Sequence, residues 1–205
     1  MNELEQFLAV PPEQRDEDWR RRFYDVVAIV GLSAGAPDRF VGPDGFPYAS
    51  VTAEPGEWTL TVLAEWCTDN GCGAVLHDAA GETAWVFSYG NLWSLRELGT
   101  LDASPPGDDQ RAQVVEVEEQ VLVASPSEQV LPPWARTVLR GHLEAAGVVD
   151  PRVALVARPG RVPEHSLALT LPADRSLAHR LTWVLPPHLG MLDIADLGDA
   201  GGAAL

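Results

Sequence analysis

The spacing of apolar residues changes along this chain from a helical period to a period of two. Near the amino terminus they recur every three or four residues, as on one face of an amphipathic helix, at Trp19, Phe23, Val26, Val27 and Val30. Further on they alternate with polar residues, as in a half-buried strand, at Trp58, Leu60, Val62, Ala64 and Trp66. This order predicts an α+β fold with N-terminal helices, an antiparallel β-meander and then a smaller α/β lobe.

Turn and cap residues set the expected bounds of the meander. Asn2 is expected to cap the first helix, and the acidic residues from Asp16 to begin the second. The turn at 68–71 predicts a hairpin between the alternating segment and a strand at 72–77. A third strand is expected to carry three aromatic residues on one face, namely Trp85, Phe87 and Tyr89. Asn91 is then expected to cap a short helix.

The carboxy-terminal half begins with a strand that has one acidic side. In residues 114–123, valines occupy one face and Glu116 and Glu118 the other, while Glu119 interrupts the apolar face as a bulge or as a buried carboxylate. A helix from Pro133 to Gly147 follows, then strands near 153–157, 166–171 and 181–185, a short helix around Leu177 and a disordered tail from residue 198. We expect lobes at 1–125 and 126–205, or one continuous domain.

The charge balance excludes several classes of partner. The 205 residues include 14 basic and 30 acidic side chains, for a net charge of −16. Such a chain repels nucleic-acid phosphates and anionic lipids, so we expect neither nucleic-acid nor membrane binding. No apolar run approaches the about 18–20 residues of a membrane span, and the amino terminus is acidic, so we expect a cytoplasmic protein. The acidity either serves solubility or attracts a basic protein partner.

A five-residue motif offers one catalytic alternative. Residues 31–35 read Gly-Leu-Ser-Ala-Gly, the G-x-S-x-G pattern of a hydrolase nucleophile elbow, which would make Ser33 the nucleophile. An elbow needs a strand before it and a helix after it, whereas helical periodicity precedes this motif and Pro37 follows it. The histidines at 165, 179 and 188 are candidate bases that no spacing singles out.

The two cysteines offer a metal-binding alternative. Cys67, Cys72 and His77 form a C-x4-C-x4-H string, but zinc needs a fourth ligand and usually a tighter cysteine pair. Across a hairpin turn the two cysteines would also lie close enough for a disulfide, which a cytosolic chain normally keeps reduced. We expect two half-buried thiols and no bound metal. The complete phosphate- and dinucleotide-binding motifs are missing from the sequence, so no cofactor is expected.

Part of the second lobe resembles a known family. The helix PPWARTVLRGHLEAAG, the strand DPRVALVARPG and the strand PEHSLALTL follow one another within residues 128–172. In this order they resemble the carboxy-terminal part of the enhanced-serine-sensitivity (SseB-type) family. These are small bacterial α/β proteins with no established enzymatic apparatus, so the resemblance implies interaction rather than catalysis.

These features together predict a non-enzymatic, acidic protein-binding module. Immunity proteins that neutralise basic toxins, and acidic chaperones of secreted effectors, have this size and charge. The partner is expected to be a basic protein. The candidate contact residues are the acidic side chains of the second half and an aromatic pair at a strand-to-helix corner, namely Asp108, Asp109, Glu116, Glu118, Glu119, Tyr89 and Trp93. The aromatic pair could line a groove or equally close the core. A Ser33 hydrolase and a metal module at Cys67, Cys72 and His77 remain the alternatives.

Overall fold

The computed structural model describes residues 2–33, 39–54, 56–101, 121–158, 165–174, 180–197 and 202–205. The chain divides into two compact units, Met1–Asp102 and Ala103–Leu205. This division lies before the boundary expected at 125/126. Among the described residues, no helix is both long and apolar enough to cross a lipid bilayer.

The described residues of the first unit form four α-helices, a short 3-10 helix (Pro12–Gln14) and a four-stranded mixed sheet. Its elements in chain order are α1 (Glu3–Leu8), α2 (Glu17–Ile29), β1 (Arg39–Val41), β2 (Pro47–Thr52), α3 (Leu60–Asp69), β3 (Gly73–His77), β4 (Thr83–Phe87) and α4 (Tyr89–Leu98). The strands lie in the order β1-β2-β3-β4. The β1/β2 and β3/β4 pairs are antiparallel, whereas β2 and β3 are parallel. Helices and sheet together confirm the α+β class.

The segment predicted as the first strand of a hairpin, Trp58–Trp66, is mostly helix. Thr59 accepts a hydrogen bond from the Val62 N–H and caps α3. The prediction was wrong because this segment fits both periods. The helix buries Leu60, Leu63, Ala64 and Cys67, which have the spacing of one helical face, and leaves Val62 47% exposed. A helix is also the usual connection between parallel strands such as β2 and β3.

The amino-terminal helices form as predicted from their caps. Asn2 and Glu5 make a reciprocal capping box at the start of α1, and Asp16 caps α2 by accepting from the Trp19 N–H at 2.7 Å. At α4 the prediction needs a correction, because Ser88 is the capping residue and Asn91 supplies the reciprocal side chain of its capping box. Tyr89 is therefore the first residue of a helix and not the last of a strand.

Aromatic side chains from α2 and β4 meet in the core of the first unit. Trp19 stacks on Phe23 with ring centroids 5.0 Å apart, and Phe23 contacts Trp85, also at 5.0 Å. Phe87, two residues further along β4, is fully buried. The expectation that Trp85 and Phe87 share one face of a strand is consistent with this packing, since both contact Phe23.

The second unit combines a sheet with helices in a different order. Its elements are β5 (Leu122–Ala124), α5 (Pro133–Ala145), β6 (Arg152–Ala157), β7 (His165–Leu169), α6 (Leu181–Val184), β8 (Gly190–Asp193) and β9 (Ala203–Ala204). The strand order is β5-β6-β7-β8, with β9 also paired to β6. The first two pairs are antiparallel and β7/β8 is parallel. The helix α5 and the strands β6 and β7 confirm the predicted elements.

Two predictions for the second unit were wrong. The strand expected at 181–185 is the helix α6, which lies between the parallel strands β7 and β8. The tail expected to be disordered instead ends in β9, and Leu205 is only 3% exposed. The Leu205 N–H donates to the Pro151 carbonyl oxygen at 3.0 Å. The short helix expected around Leu177 lies outside the described residues.

Candidate binding surface

The acidic residues predicted to contact a partner belong to the part of the chain outside the described ranges. These are Asp108, Asp109, Glu116, Glu118 and Glu119. Of the strand predicted at 114–123, the structure describes the last residues, where β5 pairs with β6. Leu122 and Val123 are 64% and 37% exposed there. The acidic face of this segment therefore remains a prediction from sequence.

The aromatic pair predicted to line a groove is buried. Tyr89 has no exposed surface and Trp93 is 2% exposed. Their ring centroids are 6.5 Å apart, and the Tyr89 hydroxyl donates to the Thr68 carbonyl oxygen at 3.3 Å. Burial, the largest cause, raises the pKa of Tyr89. Neither side chain offers surface to a partner in this structure, so the aromatic-groove interpretation is withdrawn.

Ser33 lies in an extended segment that pairs with the end of β2. Its N–H donates to the Thr52 carbonyl oxygen at 3.3 Å, and its own carbonyl accepts from the Thr52 N–H at 2.8 Å. The element before it is the helix α2. A Cβ on Gly31 would clash with the Gly56 carbonyl, so Gly31 permits a close backbone approach. A helix therefore precedes the motif, where a hydrolase elbow needs a strand; residues 34–38, which follow Ser33, lie outside the described ranges.

The cysteines and His77 lie too far apart to bind one metal ion. Cys67 is in the last turns of α3, and Cys72 immediately precedes β3, where both thiols are free and fully buried. His77 is at the opposite end of β3. A rise of about 3.3 Å per residue places it roughly 16 Å from Cys72 along the strand. No cluster of three or more metal-ligating side chains occurs in the described part of the chain. The predicted hairpin positions of the cysteines were also wrong.

The described carboxylates are all at least partly exposed. Among the residues that the structure describes, the buried polar or charged side chains are Thr68, Ser94, Arg158 and Ser166, and none is acidic. On α2, for example, the side chains of Glu17 and Asp18 are each 79% exposed. The negative charge of the described part is therefore at the surface.

Several arginines, by contrast, are directed at the protein's own backbone. Arg15 donates three hydrogen bonds of 2.9–3.0 Å to the carbonyl oxygens of Val10, Ala84 and Leu8. Arg136 similarly donates to the carbonyls of Leu131 and Pro126. Sequence reasoning missed this use, because an arginine that binds main-chain carbonyls has no characteristic spacing.

A third arginine bridges two elements of the first unit. Arg96 on α4 donates to the hydroxyl of Thr68 at 2.7 Å and to the carboxylate of Asp69 at 2.6 Å. Both acceptors are in the last turn of α3. The Arg96 side chain is 24% exposed. This cation therefore links α4 to the last turn of α3 by charge-assisted hydrogen bonds.

A shallow cleft of about 400 Å³ lies beside the start of α2. Its lining includes two arginines, two carboxylates and two indoles, namely Arg15, Arg20, Asp16, Glu17, Trp19 and Trp85. The indole N–H groups of both tryptophans have no hydrogen-bond partner among the described residues. Equal numbers of opposite charges line the cleft, so charge does not select a ligand for it.

The comparisons with known proteins identify no relative of this chain. No family model matches the chain, and neither a curated protein nor a solved structure matches it. The resemblance of residues 128–172 to the SseB-type family stays a prediction.

Proposed function

We propose that this chain is a non-enzymatic, acidic protein-binding module that works in the cytoplasm like an immunity protein or an effector chaperone. Its partner would be a basic protein. The observation that carries the proposal is the net charge of −16 combined with the exposure of the described carboxylates. An exposed field of one sign attracts a partner of the opposite sign and speeds the encounter.

The placement of the arginines strengthens this argument. Arg15, Arg96 and Arg136 donate to groups of the protein itself, so the N–H groups that make these bonds are not available to an acidic partner. Arg158 is 5% exposed. On α2, Glu17 and Asp18 make ion pairs with Arg20 and Arg21, but both carboxylates stay 79% exposed. Some of the positive charge is thus used within the fold, while the described carboxylates stay at least partly exposed.

The segment 108–119 is the best candidate for the contact surface. Glu116 and Glu118 alternate with valines, so on a strand both would lie on the solvent face. Asp108, Asp109 and Glu119 add charge to the same stretch. An acidic strand face also discourages unwanted pairing between edges, which leaves it available for a cationic partner. Tyr89 and Trp93 are not included, because they are buried.

The experiment is a charge reversal with a matched control. The double variant Glu116→Arg/Glu118→Arg changes the predicted contact face, and Glu97→Arg/Glu144→Arg makes the same net change at exposed positions on α4 and α5. Binding of the isolated partner is measured at several salt concentrations. Each reversed contact should cost about 0.5–1.4 kcal/mol, so we expect the first variant to bind about five- to a hundredfold more weakly.

Three outcomes are informative. Weaker binding by the first variant alone supports the proposal and locates the contact at the acidic strand. Equal weakening by both variants supports electrostatic attraction but not that location. Affinity that is unchanged in both variants and insensitive to salt would contradict the proposal, because exposed charge pairs are screened over about 10 Å at moderate salt.

A further inference from the structure

The turn between α3 and β3 brings the only two cysteines of the chain together. The N–H of Cys72 donates to the carbonyl of Cys67 at 3.0 Å, and the N–H of Gly71 donates to the carbonyl of Thr68 at 3.4 Å. Gly71 has a φ of 65°, the left-handed conformation that glycine tolerates. These features define a Schellman motif at the end of the helix. In this motif the first and sixth residues pack against each other, and here those residues are Cys67 and Cys72.

The backbone geometry fits a disulfide. Bond lengths limit the Cα atoms that flank a hydrogen bond of this kind to a separation below about 7 Å. Disulfides span about 4.4–6.8 Å between Cα atoms. The Cys67 sulfur also lies 3.6 Å from the Gly73 carbonyl oxygen, so its side chain is directed toward the start of β3. Both thiols are completely buried, so solvent does not compete for the contact between the two cysteines.

One member of the pair is the better nucleophile. The pKa of Cys72 is lowered chiefly because the Cys67 thiol can donate a hydrogen bond to its sulfur, and further by the positive charge of Arg39, although burial opposes both effects. The same contact and burial raise the pKa of Cys67. Arg39 is held at this turn by a 2.8 Å hydrogen bond from its guanidinium to the Asn70 carbonyl oxygen.

We propose that Cys67 and Cys72 form a reversible intramolecular disulfide that locks the α3–β3 turn when the protein meets a disulfide oxidant. The Cys72 thiolate attacks one sulfur of oxidised glutathione, forms a mixed disulfide and releases one glutathione thiolate. Cys67 then loses its proton to solvent and attacks the Cys72 sulfur, which releases the second glutathione. The two protein thiols lose two electrons and two protons in total, and one oxidised glutathione becomes two reduced ones.

This lock is independent of the proposed partner binding. Because both sulfurs are buried, the turn at Asp69–Gly71 must open before an oxidant reaches Cys72. Once formed, the bond would join the last turns of α3 to the first residue before β3. Opening of that turn would then require reduction, so we expect slower amide exchange in residues 66–74 of the oxidised protein.

The test equilibrates the whole protein in glutathione buffers of increasing oxidation, followed by acid quenching, thiol alkylation and mass spectrometry. Trypsin leaves both cysteines in one peptide, residues 40–96, because Arg39 and Arg96 flank them with no arginine or lysine between. We expect this peptide to lose about 2 Da, to resist alkylation and to recover both thiols after reduction. Two alkylated thiols in every buffer, or stable glutathione adducts, would overturn the proposal.

A second measurement tests whether the folded turn is responsible. The equilibrium constant for disulfide formation is measured in native buffer and again in urea. A preorganised pair should favour the disulfide about tenfold or more in the native protein, whereas an equal or smaller constant would refute the geometric argument. The variant Arg39→Gln should shift the pH profile of the oxidation rate upward, because the thiolate loses a neighbouring positive charge. The control Arg140→Gln, an exposed arginine on α5, should leave it unchanged.

Discussion

Replacing Arg15 tests the structural role that we assign to the arginines. Its guanidinium donates to three carbonyl oxygens and lies 4.9 Å from the centre of the Trp19 ring. Leu8 is the last residue of α1, Val10 follows that helix, and Ala84 is in β4. The three hydrogen bonds therefore join the end of α1 to β4. A variant without them leaves carbonyl groups unpaired at a partly buried site.

The expected magnitude follows from the contacts. Each hydrogen bond contributes about 1 kcal/mol and the cation–π contact about 0.5–1 kcal/mol, while release of the side chain regains about 1 kcal/mol of entropy. Arg15→Gln should therefore lower the free energy of unfolding by about 2–3 kcal/mol. Arg15→Lys should lower the free energy of unfolding by less than Arg15→Gln does, because lysine keeps the positive charge although it lacks the planar set of donors.

The assay is urea unfolding followed by tryptophan fluorescence, with Arg21→Gln as the control. Arg21 makes an exposed ion pair with Asp18 at 3.0 Å, in which the two side chains are 57% and 79% exposed. Such a pair contributes less than about 0.5 kcal/mol. If Arg15→Gln is no more destabilising than Arg21→Gln, water replaces the guanidinium at these carbonyls and our assignment is refuted.

Three further predictions concern backbone conformation and pH. Gly141→Ala should raise the free energy of unfolding by about 0.5–1 kcal/mol, because Gly141 lies inside α5 and a Cβ there meets no atom within 4 Å. Gly99→Ala should lower it by about 1 kcal/mol in the same denaturation assay, because Gly99 caps α4 with a φ of 71°. Burial and then Arg180 lower the pKa of His142, so the unfolded chain binds its proton more readily and stability should fall as pH drops below about 6.5. The variant His142→Gln should show a smaller loss over that range, and an unchanged pH dependence would contradict the assignment.

Elements with a single dominant signal could be predicted from sequence. Asp16 and the stripe from Trp19 to Val27 specify α2, because cap, charge and period agree. Pro133 and Gly147 likewise bracket α5, and Gly147 has the positive φ expected just after a helix. In these segments local sequence preferences and tertiary packing favour the same secondary structure, so the local signals suffice for the prediction.

The segment at 58–66 could not be assigned because its apolar residues satisfy two periods. Trp58 and Trp66 fit the alternating pattern, yet their rings meet edge to face at 6.3 Å beside the helical stripe of α3. Only the parallel pairing of β2 and β3, a contact between residues distant in sequence, requires a crossover connection there. The tail was misjudged for a related reason, since Ala203 and Ala204 carry little apolar signal and gain their strand from pairing with β6.

The contact surface is harder to predict than the fold. Charge attracts a partner without a fixed residue spacing, so the sequence indicates the sign of the partner but no geometry. For Tyr89 and Trp93 the sequence allows either a groove or a place in the core, and their burial shows that they belong to the core. The Cys67–Cys72 pair, unlike the acidic surface, does have a local sequence signal. A glycine four residues after Cys67 produces the turn that brings the two cysteines together. The same residues also fit a hairpin turn, so the sequence alone did not distinguish the two structures.

The most direct test of the central claim is affinity capture from the source organism's lysate at low and at high salt, with the captured proteins identified by mass spectrometry. We predict a basic protein that is retained at low salt, released at high salt and lost from the Glu116→Arg/Glu118→Arg variant. An acidic partner would contradict the claim that this acidic surface recognises its partner by charge. A partner that the unmodified protein and the variant retain equally, at low and at high salt, would contradict it as well.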